Sequence, residues 1–228
     1  MVANPLLHSG NHSNLGALKG VTPLVGLTGG IGTGKTAAGN ILAELGAGII
    51  DADLIAHQVT GAGGLAIEAI EKVFGSRFIN SAGALDRDRM RALVYEKPER
   101  RKLLEQITHP LIQQESVRQA LAMDHSQMQY ILFIVPLLVE SGEWQKLLDH
   151  IVVVDCSVEL QIERVMQRNK MQRFEVERIL QAQAERKDRL AIADTIIENQ
   201  GTYEELKSQV QGLHEKLVKI LKVPPSSS

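Results

Sequence analysis

The sequence predicts an α/β protein built on a parallel sheet, on three observations. Five short apolar runs that can form strands are separated by stretches of helical periodicity. One of them, Tyr130 to Val135 (YILFIV), is apolar without alternation, as a strand covered on both faces should be. The first run passes straight into a glycine-rich turn and then a helix.

That first unit is Leu24 to Thr36, LVGLTGGIGTGKT, followed by the helical AAGNILAELG, which Gly46 ends. The turn, Gly29-Gly30-Ile31-Gly32-Thr33-Gly34-Lys35-Thr36, fits G-x-x-x-x-G-K-[ST] between a strand and a helix, the context this motif requires. Glycines let the backbone curl with several N–H groups pointing inward at a phosphate, and the helix start adds its positive end. Lys35 can reach the outer phosphates, and the Thr36 hydroxyl can hold Mg²⁺. A dinucleotide fingerprint does not fit, because counting G-x-G-x-x-G from Gly30 and Gly32 ends on Lys35. A looser match at Gly61, Gly63 and Ala66 follows a helix-like segment and is expected to be a loop.

The second strand, at Ala47 to Asp53, runs into two acids. Ligands of open α/β sheets bind beyond the carboxyl ends of the strands. Asp51 and Asp53 are two apart and can share a strand face, which suits a base with a metal or water partner; alternatively, one of them caps the next helix. Residues 59–124 are charged and helical, with no convincing strand, and predict a helical insertion. Within them Thr108-His109-Pro110-Leu111 predicts a break, with Pro110 in the first turn of a new helix. His109 serves structure as readily as a ligand.

The YILFIV strand ends in Pro136, ahead of Glu140. Motor ATPases put an acid pair there, so the proline argues against an ATP-hydrolysing machine. A fourth strand, Ile151 to Asp155, precedes Ser157, a cap for a helix that carries Arg164 and Arg168 on one face. Internal ion pairs account for most charges between Gln161 and Leu190, while two or three arginines can close over a triphosphate, with Asn169-Lys170 as a hinged tip. Asp194 to Asn199 is the fifth strand, and an amphipathic helix from Tyr203 completes the core.

Bulk properties narrow the function. At 228 residues, 44% hydrophobic and 23% charged, the chain can bury an ordinary core, and a net charge of −2 excludes bulk attraction to nucleic acid or an anionic membrane. Cys156 is the one cysteine, which rules out an intrachain disulfide and fits a reducing compartment. No apolar run is long enough to cross a bilayer, and the first twenty residues lack the marks of a signal peptide. A cytoplasmic protein is expected, with no nucleic-acid or membrane partner. A guanine-reading N-K-x-D is missing, since Asn169-Lys170-Met171-Gln172 lacks the acid.

With those residues in place, the chain resembles the dephospho-coenzyme A kinases from about Val25 to about Leu213. The likeness rests on LTGGIGTGKT, DADLIAHQV at Asp51 to Val59, THPLIQQE at Thr108 to Glu115, VPLLVE at Val135 to Glu140, QIERVMQR at Gln161 to Arg168 and RLAIADTIIENQG at Arg189 to Gly201. It implies transfer of the ATP γ-phosphate to the ribose 3′-hydroxyl of dephospho-coenzyme A, forming coenzyme A and ADP, with Mg²⁺. The alternatives are another small-molecule or nucleotide kinase on the same core, or a non-catalytic nucleotide-binding regulator. The implied fold is a three-layer P-loop NTPase with a five-stranded parallel sheet in order 2-3-1-4-5, a helical substrate-binding insertion and a helical lid. The expected division is a mobile extension at 1–20, a nucleotide-binding core of 21–58, 125–163 and 190–222, a coenzyme A domain at 59–124, a lid at 164–189 and a frayed tail at 223–228. The resemblance makes Asp53 the general base, Arg164 the stabiliser of transferring charge, and Lys35 the bridge between phosphates. ATP would contact Gly29, Gly30, Ile31, Gly32, Thr33, Gly34, Lys35, Thr36 and, at the adenine, Asn199; Thr36 would ligate the metal. Asp51, His57, His109 and Arg168 are the expected substrate contacts. Thr36 stands where serine is more usual and keeps the hydroxyl. The chain is expected to act as a monomer or weak homo-oligomer.

Overall fold

The computed structural model describes residues 18, 20, 22–141 and 144–221. Apart from Leu18 and Gly20, the expected N-terminal extension lies outside the described residues, as does the expected tail at 223–228. Leu18 is buried in the core.

Five parallel strands form one sheet: β1 (Leu24–Thr28), β2 (Gly48–Asp51), β3 (Ile131–Ile134), β4 (His150–Asp155) and β5 (Thr195–Glu198), in the order β2-β3-β1-β4-β5. This is the order the resemblance implies. Neighbouring residues along a strand point to opposite faces, so Leu24 and Val25, Ile131 and Leu132, and Val152 and Val153 divide between two apolar cores. One core packs under α1 (Lys35–Glu44) and α10 (Tyr203–Ile220), through Ile41, Leu42, Val210, Leu213 and Leu217. The other packs under α2 (Ala52–Val59), α3 (Ile67–Phe74), α4 (Arg87–Glu96) and α5 (Pro98–Leu121), all inserted between β2 and β3. A short α6 (Leu138–Ser141) follows β3. After β4 come α7 (Val158–Asn169), α8 (Arg173–Ala182) and α9 (Arg186–Ala191), with a small apolar cluster of their own around Val165 and Val176. Among the described residues, no helix is long and apolar enough to cross a membrane.

Three local expectations meet different outcomes. Ser157 does cap α7, accepting the Leu160 N–H at 3.3 Å. The break expected at Pro110 does not occur: α5 runs unbroken for 24 residues with Pro110 inside it. Proline removes one helical hydrogen bond, but α5 is held along its length against α2, α3, α4 and β2, and tertiary packing overrides the local cost. Nor do Asp51 and Asp53 share a strand face. Asp51 ends β2 and its Oδ1 accepts the N–H groups of Asp53 and Leu54, at 2.8 and 3.2 Å, so the helix starts at once and Asp53 falls in its first turn.

Candidate active site

The site lies beyond the carboxyl ends of β1 and β3, where the chain leaves β1 and curls into the start of α1. Gly34, with φ of 100°, ends the loop in the left-handed region; a Cβ there would run into the Asn199 carboxamide nitrogen. Gly32, with φ of 77°, lies instead against backbone, since a Cβ would meet the Gln161 carbonyl oxygen at 2.7 Å. The loop is braced from inside and behind. Thr33 Oγ1 donates to the Gly30 carbonyl at 2.9 Å, and the buried Asn199 Nδ2 donates to the Thr33 carbonyl at 2.8 Å. Lys35 folds back over the curl, its Nζ donating to the carbonyls of Gly29 at 2.6 Å and Gly30 at 3.1 Å.

In front of the loop is a cleft of about 680 Å³, whose walls include Gly30, Lys35, Thr36, Asp53, Arg164 and Arg168. Asp53 reaches it from the first turn of α2, which starts directly at the carboxyl end of β2 and packs against β3, the strand between β2 and β1. Arg164 and Arg168 are one helical turn apart on α7 and both face in. Arg164 is steered by Asn199: Nη1 donates to its backbone carbonyl at 3.1 Å and Nη2 reaches Oδ1 at 3.5 Å. Arg168 is exposed, with Nε donating to Asn169 Oδ1 at 2.8 Å.

The electrostatics of Lys35 and Asp53 are coupled. Burial pulls the Lys35 ammonium down to about 8; Asp53 and Glu140 oppose that fall, while Arg189 and Arg168 add to it. Asp53 opens to the cleft, yet the protein around it strips enough water to raise its carboxyl above the ordinary range; the Asp51 charge adds to the rise, and Lys35 and His57 resist it. A carboxylate made more basic beside a lysine with a softened charge, under two arginines, can accept a proton and stabilise negative charge at one point.

Not every expected residue comes together here. Asp51 is engaged in its cap. His57 does not line the cleft, though its charge bears on Asp53, and His109, half-buried on α5, lines neither this cleft nor the cavity next to it. Asn199 lies behind the loop rather than in the cleft, and also lines a separate hollow with Gln200, Gly201 and Gln209 after β5. The neighbouring cavity, about 570 Å³, has walls from α4 and α5, with Met90, Val94, Tyr95 and Leu104 set among Arg87, Arg91 and Arg101. Gln183, just after α8, was not legible in the sequence. It lines both cavities, and its Oε1 accepts the Ile31 N–H at 3.0 Å. No group of three or more His, Cys, Asp or Glu able to cage a metal occurs among the described residues.

Comparison with known proteins bears on this geometry. A family model described as dephospho-CoA kinase matches residues 23–205. The dephospho-CoA kinase of Burkholderia thailandensis is 50% identical over 193 residues, covering 84% of this chain and 94% of that protein. Among solved structures, TT1252 from Thermus thermophilus superposes with a TM-score of 0.74 at 27% identity, covering 86% of this chain and 98% of that one. A dephospho-CoA kinase from Campylobacter jejuni does so with a TM-score of 0.60 at 25% identity, over 87% and 99%.

Proposed function

The chain belongs to the dephospho-CoA kinase family, and on that premise we propose how its residues divide the reaction. The enzyme transfers the γ-phosphate of ATP to the ribose 3′-hydroxyl of dephospho-coenzyme A, giving coenzyme A and ADP in coenzyme A synthesis. The observation that carries the division is the cleft in which Lys35, Thr36, Asp53 and Arg164 share one wall of space.

The N–H groups of the loop from Gly32 onward and of the start of α1 take the phosphates of ATP, and Lys35 swings from the Gly29 and Gly30 carbonyls to the outer phosphates. The adenine is assigned to the turn after β5, where Asn199 lines a hollow. Asp53 receives the proton of the 3′-hydroxyl as that oxygen forms its bond to the γ-phosphorus. The bond from that phosphorus to the β–γ bridging oxygen breaks, and ADP leaves with the electron pair. A ribose hydroxyl is a weak nucleophile, and a raised carboxyl is a better acceptor for its proton than an ordinary one. Arg164 meets the charge spread over the moving phosphoryl group, with Arg168 beside it.

The donor set fits Mg²⁺. With no protein cage among the described residues, a cation that keeps its waters and binds substrate phosphates suits a site offering the exposed Thr36 hydroxyl. When bound, Mg²⁺ would neutralise phosphate charge.

The cavity lined by α4 and α5 suits the rest of the acceptor. Its apolar residues match the pantetheine arm and its three arginines the pyrophosphate, which gives residues 59–124 the acceptor and 164–189 the part of a lid. A cytoplasmic setting fits the single, buried cysteine.

Mass spectrometry of products from ATP, Mg²⁺ and dephospho-coenzyme A tests the assignment. Coenzyme A and ADP are expected in equal amounts, with no transfer to adenosine monophosphate or shikimate. Preferential transfer to either of those acceptors would overturn it.

A further inference from the structure

We propose that Gln183 is a positioning residue for phosphoryl transfer, holding the tip of the phosphate loop against the lid at the border of the two substrate cavities. The inference rests on the assignment of those cavities to ATP and acceptor.

The loop tip is held by the helices after β4 from two sides. Ile31 packs its side chain into the cluster of Ile162, Val165 and Val176, alongside Leu180. Its backbone N–H donates to Gln183 Oε1 at 3.0 Å, across 152 positions of sequence. Gln183 is itself anchored. Its N–H donates to the Leu180 carbonyl at 3.2 Å, and the next residue, Ala184, gives its N–H to Glu140 Oε1 at 2.8 Å and its carbonyl to Arg189 Nη1. Two residues further on, the Arg186 guanidinium grips the buried Asp155 carboxylate, with Nη2 to Oδ2 at 2.6 Å. The segment from Gln183 to Arg186 is therefore tied to the loop, to α6 and to the end of β4.

Among the residues lining the two cavities, Gln183 is the one common to both. An acceptor hydroxyl approaching the γ-phosphate passes it. Releasing the Ile31 N–H would let the loop tip shift against the acceptor without removing any group that contacts the nucleotide through charge. Transfer depends steeply on that placement.

Gln183→Met keeps the length of the side chain but cannot accept the Ile31 N–H, whereas Gln183→Glu keeps an acceptor. In the ligand-free protein the Ile31 amide should exchange with solvent about fivefold faster in the Met variant and near the wild-type rate in the Glu variant. With both substrates, kcat should fall about 10- to 100-fold in the Met variant, while ADP affinity stays close to wild type. Unchanged exchange or unchanged kcat overturns the proposal. So does a loss of ADP affinity that matches the loss of kcat, which would make Gln183 a nucleotide ligand. If the Met variant does not fold, Gln183→Asn, one methylene short of Ile31, gives the same readouts. Failure of the wild-type enzyme to phosphorylate dephospho-coenzyme A would strike the assignment of the cavities; unchanged Ile31 exchange would strike the tie alone.

Discussion

Asn199 Nδ2 donates to the Thr33 carbonyl at 2.8 Å, joining the turn after the last strand to the phosphate loop across 166 positions of sequence. Both residues are buried, so neither group can turn to water instead. Asn199→Ala is expected to cost about 1–3 kcal/mol of stability, by leaving the Thr33 carbonyl unpaired. It should also weaken ADP binding, because the loop loses its rear brace. Thermal melting and an ADP titration check both; a variant with wild-type melting and affinity would show that the brace carries no weight.

Arg164 is steered into the cleft by the same asparagine. Arg164→Ala should lower kcat by roughly 10³-fold, as for other arginines that stabilise a transferring phosphoryl group. Steady-state kinetics separates the roles. A rise in KM for ATP with kcat preserved would make Arg164 a ground-state binding residue.

Lys35 gives the reaction a pH signature. Its ammonium lies at about 8 in the free enzyme because burial disfavours the charge, and a triphosphate nearby favours the charge and raises it. Nucleotide binding should therefore take up protons at slightly alkaline pH, and affinity should fall as pH rises through about 8. Calorimetric titrations in two buffers of different ionisation enthalpy read this directly. The stability sign is opposite to that of a favourably paired lysine. A folded value below the unfolded 10.5 is a cost to the folded state that is full below about 8 and fades between the two. The melting temperature of Lys35→Met relative to wild type should therefore fall as pH climbs through that window, because the wild type sheds the cost and the variant has none to shed.

The acceptor cavity can be tested without touching the phosphate loop. Arg91 lines it and lies 3.9 Å from Asp88 in a weak, exposed pair. Arg91→Ala is expected to raise KM for dephospho-coenzyme A about tenfold, the worth of one lost charge-assisted hydrogen bond, with ADP affinity unchanged. An unaltered KM would remove this cavity from the acceptor's path.

What could be read in the sequence follows from distance along the chain. The five strands, the loop and the Ser157 cap depend on neighbours within a few residues, and helical spacing alone brings Arg164 and Arg168 to one face. The start of α2 was harder, because Asp51 serves both as the end of a strand and as a cap, and only the cap bonds reveal where the helix begins. Pro110 misled, since the packing that carries α5 through it comes from other helices. Gln183 and Asn199 reach the loop from 152 and 166 positions away, and no local pattern marks such a glutamine.

The role of Asp53 is the centre of the mechanism, and its raised carboxyl means the rate should fall on acidification earlier than an ordinary aspartate would allow. The direct measurement is the single-turnover rate of Asp53→Asn with ATP and dephospho-coenzyme A, alongside its ADP affinity. A loss of about 10²- to 10⁴-fold in rate with affinity retained is expected of a missing general base. A variant that turns over at the wild-type rate would contradict it.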